Sequence, residues 1–155
     1  MHNNKQLIHG VEAKDLRVYV DERGIVVEIL RSDDPMFEQF GQVYYATCNP
    51  GVIKAWHYHN IHTDYLYCIY GSAKLGLYDP REDSPTRGLT NTFIMNEYNH
   101  LLVKVPPGVL HGQMCLSDVP CIMVNVPTHV YDPADEYKVD PFDPSIPYEW
   151  EVKSK

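Results

Sequence analysis

Short apolar stretches separated by turns dominate the chain and predict an all-β fold. The stretches are rich in β-branched and aromatic residues, and glycine or proline falls between them. Many short strands at near-regular spacing indicate a sandwich or a closed barrel. The predicted strands are Leu16–Val20, Ile25–Leu30, Val43–Thr47, Val52–His59, Tyr65–Tyr70, Ala73–Tyr78, Leu101–Val105, Val109–Met114 and Cys121–Val126.

Three short segments add local detail to this pattern. Asp21–Gly24 predicts a tight hairpin turn, with glycine where a positive φ is easiest. Gly71–Ser72 is short enough to join Tyr65–Tyr70 and Ala73–Tyr78 as a second hairpin. Asp33–Gln39 is predicted to form one or two helical turns.

The chain after residue 126 is rich in proline and aspartate. It is expected to be an ordered, extended wrap rather than a linker, because several apolar side chains can anchor it. The expected anchors are Tyr137, Phe142, Ile146, Tyr148 and Trp150. The length of 155 residues fits one domain with a substantial core, so residues 1–155 are predicted to form a single domain.

Charge and cysteine content exclude several classes of protein. A net charge of −8 argues against general attraction to nucleic acid, which requires surplus Lys and Arg. Residues 1–5 show no secretory signal, and no apolar run is long enough to span a membrane. Cys48, Cys68, Cys115 and Cys121 lack C-x-x-C spacing and are expected to be reduced, mostly buried thiols. A cytoplasmic protein without nucleic-acid or membrane partners is predicted.

Two histidines mark the stretch best suited to chemistry. His57 and His59 are one residue apart, and side chains at i and i+2 of a strand point to the same face, so both project into one space. Asp64 follows them, and His111 comes after a Pro-Pro-Gly turn. His62 is expected on the rim, facing solvent or an interface.

This pattern resembles the two sequence motifs of the cupin barrels. The first motif reads glycine, five residues, H-x-H, four residues, an acidic residue, six residues and glycine, and it matches residues 51–71. The resemblance implies a cupin fold, a double-stranded β-helix or jelly-roll barrel, with an extended Pro-rich C-terminal tail. Both motifs place His57 and His111 in one pocket, which disfavours a purely structural role for these histidines.

Further motifs resemble the dTDP-4-dehydrorhamnose 3,5-epimerase family of RmlC-like cupins, over most of the chain. They are Asp21-Glu22-Arg23-Gly24-x-x-x-Glu28, Gln42, Gly51-Val52-Ile53-Lys54-Ala55-Trp56-His57-Tyr58, Asp79-x-Arg81-x-x-Ser84-Pro85-Thr86-x-Gly88, Pro106-x-Gly108-x-x-His111-Gly112 and Asp143-Pro144-x-Ile146-x-Tyr148-x-Trp150. The resemblance implies a homodimeric isomerase or epimerase of a nucleoside-diphosphate-linked 4-keto-6-deoxy sugar. It assigns His57 as the catalytic base and Asp143 as the aspartate that orients it.

The same resemblance implies how the substrate is held. The expected substrate-binding residues are Arg23, Glu28, Gln42, Lys54, His111 and Asn125. Arg23 and Lys54 would hold the diphosphate, and Glu28 or Gln42 would contact the nucleoside. In the family, the arginine and glutamate often reach the nucleotide across a dimer interface.

The chain departs from the family pattern at four positions. The family's enolate-stabilising lysine falls on Asp64, its tyrosine acid on Asn125, and its phosphate-binding arginine on Lys54, which lacks the bidentate fork. The third residue of the family's H-Y-Q is His59. A single-centre epimerase or another enolate-forming isomerase is therefore expected alongside the double epimerase. One of Tyr44, Tyr45, Tyr58, Tyr65, Tyr67 and Tyr70 can replace the lost acid, and the sequence does not select it.

The histidines also support two alternative hypotheses. His57, His59, Asp64 and His111 together suit one Fe, Mn, Ni or Zn ion, which would make the protein a metal-dependent cupin, either a dioxygenase or a metal-assisted isomerase. This interpretation ranks second because His57 cannot be both a ligand and the base, so no cofactor is the first expectation. A third hypothesis is a non-catalytic sugar or nucleotide binder.

Overall fold

The computed structural model describes residues 5–154, which form twelve β-strands and one 3₁₀ turn. The strands are β1 (Glu12–Asp15), β2 (Val18–Asp21), β3 (Gly24–Val27), β4 (Tyr44–Cys48), β5 (Ile53–Tyr58), β6 (Asp64–Tyr70), β7 (Ala73–Tyr78), β8 (Thr90–Met95), β9 (Leu101–Val105), β10 (Leu110–Cys115), β11 (Cys121–Asn125) and β12 (Tyr137–Lys138), and the 3₁₀ turn is Pro133–Asp135. No helix within residues 5–154 has the length and apolar character needed to cross a membrane.

Ten of these strands build two five-stranded antiparallel sheets. Sheet I has the order β1-β9-β6-β11-β4, and sheet II has the order β12-β5-β10-β7-β8. The remaining two strands, β2 and β3, pair only with each other as a hairpin among the described strands. This architecture confirms the predicted all-β jelly-roll barrel.

The main hydrophobic core lies between the two sheets. Leu66 and Val103 of sheet I pack in one cluster with Leu75, Leu77 and Phe93 of sheet II. Alternation of side chains along each strand is what delivers these residues to a common interior. The four cysteines are buried and free, in agreement with the prediction of reduced thiols.

The C-terminal tail covers the outer face of sheet II. Trp56 and Leu110 of the sheet pack against Ile146 and Trp150 of the tail. Tyr148 is also packed against this cluster. The predicted ordered wrap is therefore confirmed.

Two of the predicted anchors of the tail behave differently from the rest. Tyr137 stacks on Tyr58, with ring centroids 4.8 Å apart, so it is an anchor at the strand edge. Phe142 is 72% exposed, and its prediction as an anchor is wrong. The sequence pattern shows that an aromatic residue is available but does not show which way an extended tail turns it.

The predicted hairpin at Gly71–Ser72 is wrong. The strand before it, β6, belongs to sheet I, and the strand after it, β7, belongs to sheet II. The two residues therefore carry the chain around a corner between the sheets. Gly71 has φ +74°, and a Cβ there would lie 2.9 Å from the Cα of Cys121, so the corner leaves no room for a side chain.

The N-terminal hairpin matches its prediction, whereas the predicted helical segment does not. Asp21 pairs with Gly24 across the β2–β3 turn, and Gly24 has φ +139°. Asp33–Gln39 forms turns instead of a helix. The Asp34 carboxylate accepts a hydrogen bond from the backbone N–H of Arg31 at 2.9 Å, which favours a local turn over a helix.

Candidate active site

A cavity of about 430 Å³ opens between the two sheets and is lined from both. Tyr44 and Asn125 line it from sheet I, and His57 and His111 line it from sheet II. The remaining lining residues are Gln42, Ala46, Lys54, His59, His62, Leu66, Leu75, Gly112, Gln113, Pro127, His129, Tyr131 and Glu136. The mixture of apolar and polar side chains in the lining is typical of a ligand site.

His57 lies on β5, between strands β10 and β12. It is directly opposite His111 on one side and Lys138 on the other. Burial lowers the pKa of His57 to about 4, and the neighbouring His111 acts in the same direction. Within residues 5–154, no group hydrogen-bonds the His57 ring. The imidazole is therefore neutral at pH 7, with a free nitrogen available to accept a proton from a ligand.

The predicted pairing of His57 with Asp143 does not occur in this chain. The carboxylate of Asp143 accepts hydrogen bonds from the backbone N–H and the hydroxyl of Ser145, at 2.8 and 2.6 Å, and does not line the cavity. The negative charge of Glu136, just before β12, is instead close enough to His57 to raise its pKa against the effect of burial. The pairing of β12 with β5 places Glu136 there, and no motif in the sequence indicates that pairing.

A buried carboxylate, Asp64, is surrounded by three histidines. It is 1% exposed and accepts a 2.7 Å hydrogen bond from the Asn125 amide. The Nε2 atoms of His62 and His111 each lie 3.4 Å from its oxygens, and that of His59 lies 3.8 Å away. Burial alone would raise the pKa of Asp64, but His62, His111 and the amide outweigh it and lower the pKa.

Hydrogen bonds fix the orientation of two of these rings. His59 Nδ1 lies 2.7 Å from the carbonyl of Asp135, and His111 Nδ1 lies 3.3 Å from the carbonyl of Val109. A carbonyl oxygen only accepts, so both Nδ1 atoms carry the proton. In this tautomer an Nε2 without a proton turns its lone pair toward the Asp64 carboxylate, which is repulsive unless a proton or a cation lies between them.

The residues that can share a metal ion differ from the predicted set. Ligand atoms of His59, His62 and Asp64 all lie within 4.8 Å of one another. Among the described residues, this group does not include His57, and His111 lies beside Asp64 but outside the group, so the predicted four-residue set is only partly brought together. His59, His62 and Asp64 nevertheless suit a divalent transition metal by donor type.

The prediction that His62 lies on the rim, facing solvent or an interface, is also wrong. His62 is 9% exposed, and its ring stacks on His59 with centroids 3.9 Å apart. It lines the cavity, in the loop between β5 and β6. Its position two residues before Asp64 was the available signal for this role.

Asn125 and Tyr44 form the sheet I wall of the cavity. They are directly opposite each other on β11 and β4. The Asn125 amide nitrogen donates to Tyr44 Oη at 2.9 Å, and its oxygen accepts from the backbone N–H of Tyr65 at 3.2 Å. Asn125 is 3% exposed. The position that lacks the family tyrosine therefore carries a buried amide whose oxygen and nitrogen are both hydrogen-bonded.

The predicted substrate-binding residues fall into two groups. Gln42 and Lys54 line the cavity, together with His111 and Asn125. Arg23 and Glu28 do not line it, because Arg23 pairs with Asp21 on the exposed hairpin and Glu28 pairs with Arg31. A single chain therefore presents only part of the predicted set to its own cavity.

The D-x-R-x-x-S-P-T motif has a structural role away from the cavity. Asp79 is fully buried and accepts hydrogen bonds from Arg81, Ser84 and Thr86. These bonds hold the pKa of Asp79 well below its usual range, in spite of burial, which acts in the opposite direction. The motif closes the connection between β7 and β8.

The two-sheet barrel and the polar cavity between its sheets define a cupin. The chain matches the dTDP-4-dehydrorhamnose 3,5-epimerase family over residues 5–155 and belongs to that family. Membership confirms the family, the fold and the enzyme class that the motifs predict.

Individual relatives and solved structures agree with this membership. A probable low-salt glycan biosynthesis epimerase of Haloferax volcanii is 40% identical, covering 92% of this chain and 89% of the relative. A spore coat polysaccharide biosynthesis protein of Bacillus subtilis is 38% identical, over 95% of this chain and 99% of its own length. A dTDP sugar isomerase of Desulfovibrio desulfuricans has a crystal structure that superposes with a TM-score of 0.88, at 30% identity and 92% coverage of both chains.

Proposed function

We propose that this protein epimerises a nucleoside-diphosphate-linked 4-keto-6-deoxy sugar, with His57 as the base that removes a proton next to the ketone. The observation that carries the proposal is the position of His57 in the cavity wall. The ring is neutral, and no group within residues 5–154 hydrogen-bonds it. Solved relatives support the substrate class, since a 3'-monoepimerase of Streptomyces bikiniensis was crystallised with dTDP-quinovose, at 26% identity and a TM-score of 0.85.

The chemistry begins with the acidic C–H bond beside the ketone. His57 takes the proton, and the C–H electron pair forms an enolate across the ring carbon and C4. Glu136 stabilises the imidazolium that results, because its negative charge raises the pKa of His57. A proton then returns to the opposite face of the same carbon, and the configuration is inverted.

The enolate oxygen needs a positive or hydrogen-bonding partner, which the family's lysine no longer supplies. His62 takes over this role in our proposal: burial alone would lower its pKa, but the hydrogen bond and charge of the Asp64 carboxylate outweigh burial and raise it, which favours a proton on this ring. Such a donor acts in a site shielded from water, where electrostatic stabilisation is largest. Lys54 and Gln42 are assigned to the diphosphate and the nucleoside, because both line the same cavity.

The second candidate is a metal-assisted isomerase with a divalent ion at His59, His62 and Asp64. The facing Nε2 lone pairs favour it, because a cation would relieve their repulsion with the carboxylate. Such an ion would polarise the C4 carbonyl as a Lewis acid. Because His57 is outside this group, it can act as the base while the three other residues bind the metal. Elemental mass spectrometry of protein purified without chelator tests it, with His62→Ala losing a stoichiometric metal and His57→Ala retaining it.

The homodimer is part of the proposal. The β2–β3 hairpin exposes Val20, Ile25 and Val26, which are 73%, 58% and 63% exposed. A second copy of the chain would cover this surface and would bring Arg23 and Glu28 to the neighbouring cavity. Light scattering should give twice the 17.9 kDa chain mass, and Val26→Asp should give the monomer. We propose a cytoplasmic location on the basis of the four reduced thiols.

The direct test of the function is conversion of dTDP-4-dehydro-6-deoxyglucose, followed by proton NMR. The protein should invert C3, C5 or both, and His57→Gln should reduce the rate at least about 100-fold. His9→Gln is the matched control, because His9 is exposed and outside the cavity, and it should retain full activity. Full activity in His57→Gln would exclude the proposed base.

A further inference from the structure

We infer that Tyr44 is the acid that returns the proton in place of the family tyrosine, an assignment that rests on the proposed function. Epimerisation needs a donor on the face of the substrate opposite the base. His57 lies on sheet II, and Tyr44 lies on sheet I across the same cavity. The two side chains therefore approach a bound sugar ring from opposite walls.

The hydrogen bonds around Asn125 leave the Tyr44 proton free. The amide oxygen accepts from the backbone N–H of Tyr65, and the amide nitrogen donates to Asp64 and to Tyr44 Oη. Tyr44 Oη is therefore an acceptor in this bond, and its own O–H is not used by it. Within residues 5–154, Asn125 is its only hydrogen-bond partner, so the O–H can point at a ligand. An accepted N–H also stabilises the tyrosinate that remains after proton transfer.

The other candidate tyrosines are excluded by position. Tyr45 and Tyr70 are exposed and do not line the cavity, and Tyr58 stacks on the tail. The hydroxyl of Tyr65 donates to the carbonyl of Met36, and that of Tyr67 lies 2.6 Å from His100.

A tyrosine that was not among those candidates, Tyr131, does line the cavity. Its hydroxyl donates to Glu136 at 2.8 Å, and its backbone N–H donates to Gln42. That proton is held by a carboxylate on the same side as His57, because Glu136 directly precedes β12, the strand that pairs with β5 and sets Lys138 opposite His57. A donor beside the base would return the proton to the face from which it came, which gives no inversion.

The proposed step conserves protons and electrons. The enolate oxygen re-forms the C4 carbonyl, the electron pair of the C=C bond takes the Tyr44 proton on the face opposite His57, and tyrosinate and imidazolium remain. Solvent then returns a proton to the tyrosinate and removes one from the imidazolium. No oxidant, reductant or further reactant is needed.

The test compares two rates for Tyr44→Phe on dTDP-4-dehydro-6-deoxyglucose in D₂O. The first is deuterium entry at the carbon beside the ketone, and the second is inversion of that carbon, both read by NMR. Because His57 still removes the proton and can return a solvent deuteron to the same face, we expect exchange to persist within about threefold while inversion falls at least about 100-fold. Tyr45→Phe, on the neighbouring and 68% exposed residue, should leave both rates unchanged.

Three other outcomes would overturn the assignment. Equal inversion by wild type and Tyr44→Phe would exclude Tyr44 and leave the proposed function intact. A parallel loss of exchange and inversion would give Tyr44 a structural role in place of an acid. Absence of both rates in the wild-type protein would reject the proposed function itself, and the acid with it.

Discussion

Trp56, the residue immediately before the proposed base, packs against Trp150 of the tail, with ring centroids 4.9 Å apart. Tyr148 meets the same indole edge-on at 5.1 Å. The tail therefore supports β5 on the face opposite the cavity, next to the position where His57 lines that cavity. The C-terminal motif of the family is thereby given a packing role next to the site.

Trp150→Ala should lower the free energy of unfolding by about 3–5 kcal/mol, because a buried aromatic side chain is removed from the contact with Trp56. Urea unfolding followed by tryptophan fluorescence measures this loss. Phe142→Ala is the matched control, since Phe142 is 72% exposed, and it should change stability by less than about 0.5 kcal/mol. Equal effects of the two variants would contradict the assigned packing of the tail.

Asp79→Asn should lower the free energy of unfolding by about 3 kcal/mol, because Arg81 loses a buried charged partner. The folded-state pKa of Asp79 is lowered, so its contribution to stability is present above the unfolded-state pKa of about 3.9 and is lost as pH falls below that value. Wild-type stability should therefore decline more steeply than that of Asp79→Asn between pH 5 and pH 3. Parallel declines in the two proteins would show that Asp79 is not the responsible group.

The variants Glu136→Gln and Asp143→Asn test which of these two carboxylates supports His57 as the base. Glu136 raises the pKa of His57, whereas Asp143 is hydrogen-bonded to Ser145. Glu136→Gln should reduce kcat at least about tenfold, because a less basic imidazole is a weaker base. Asp143→Asn should stay within about twofold of wild type, and the reverse order of effects would restore the aspartate predicted from the motif.

Lys54→Ala should raise KM about tenfold while leaving kcat near its wild-type value, because the proposed contact with the diphosphate, far from the reacting carbon, would bind substrate and transition state alike. Lys54→Arg should retain a low KM, since charge is kept. Lys153→Ala removes a charge of the same sign from the exposed tail and should change neither constant. A fall in kcat with unchanged KM would place Lys54 in the chemical step.

Most strands and the histidine motif at residues 57–59 could be predicted, because both depend on residues close together in the sequence. Alternation and β-branched residues marked nine of the strands, and the H-x-H spacing brought His57 and His59 into one cavity. Three strands were not predicted. The sequence of β1, Glu-Ala-Lys-Asp, has low strand propensity, and β12 is two residues long. The third, β8, begins with Thr-Asn-Thr, which resembles a turn.

Pairing across the fold could not be read from the sequence. The tail strand β12 places Glu136 beside His57, and the register of β4 with β11 sets Tyr44 against Asn125. Both relationships depend on residues far apart in the chain. The family resemblance favours Asp143 because a motif matches residue types only. It does not show how the tail is folded, and in this fold Asp143 is hydrogen-bonded to Ser145.

Deuterium wash-in is the measurement that tests the central claim most directly. Wild-type protein is incubated in D₂O with dTDP-4-dehydro-6-deoxyglucose, beside His57→Gln and the exposed control His9→Gln. The account predicts deuterium at C3, C5 or both in the wild type and His9→Gln, and a loss of at least about 100-fold in His57→Gln. Equal incorporation by His57→Gln and the wild type would show that His57 is not the base.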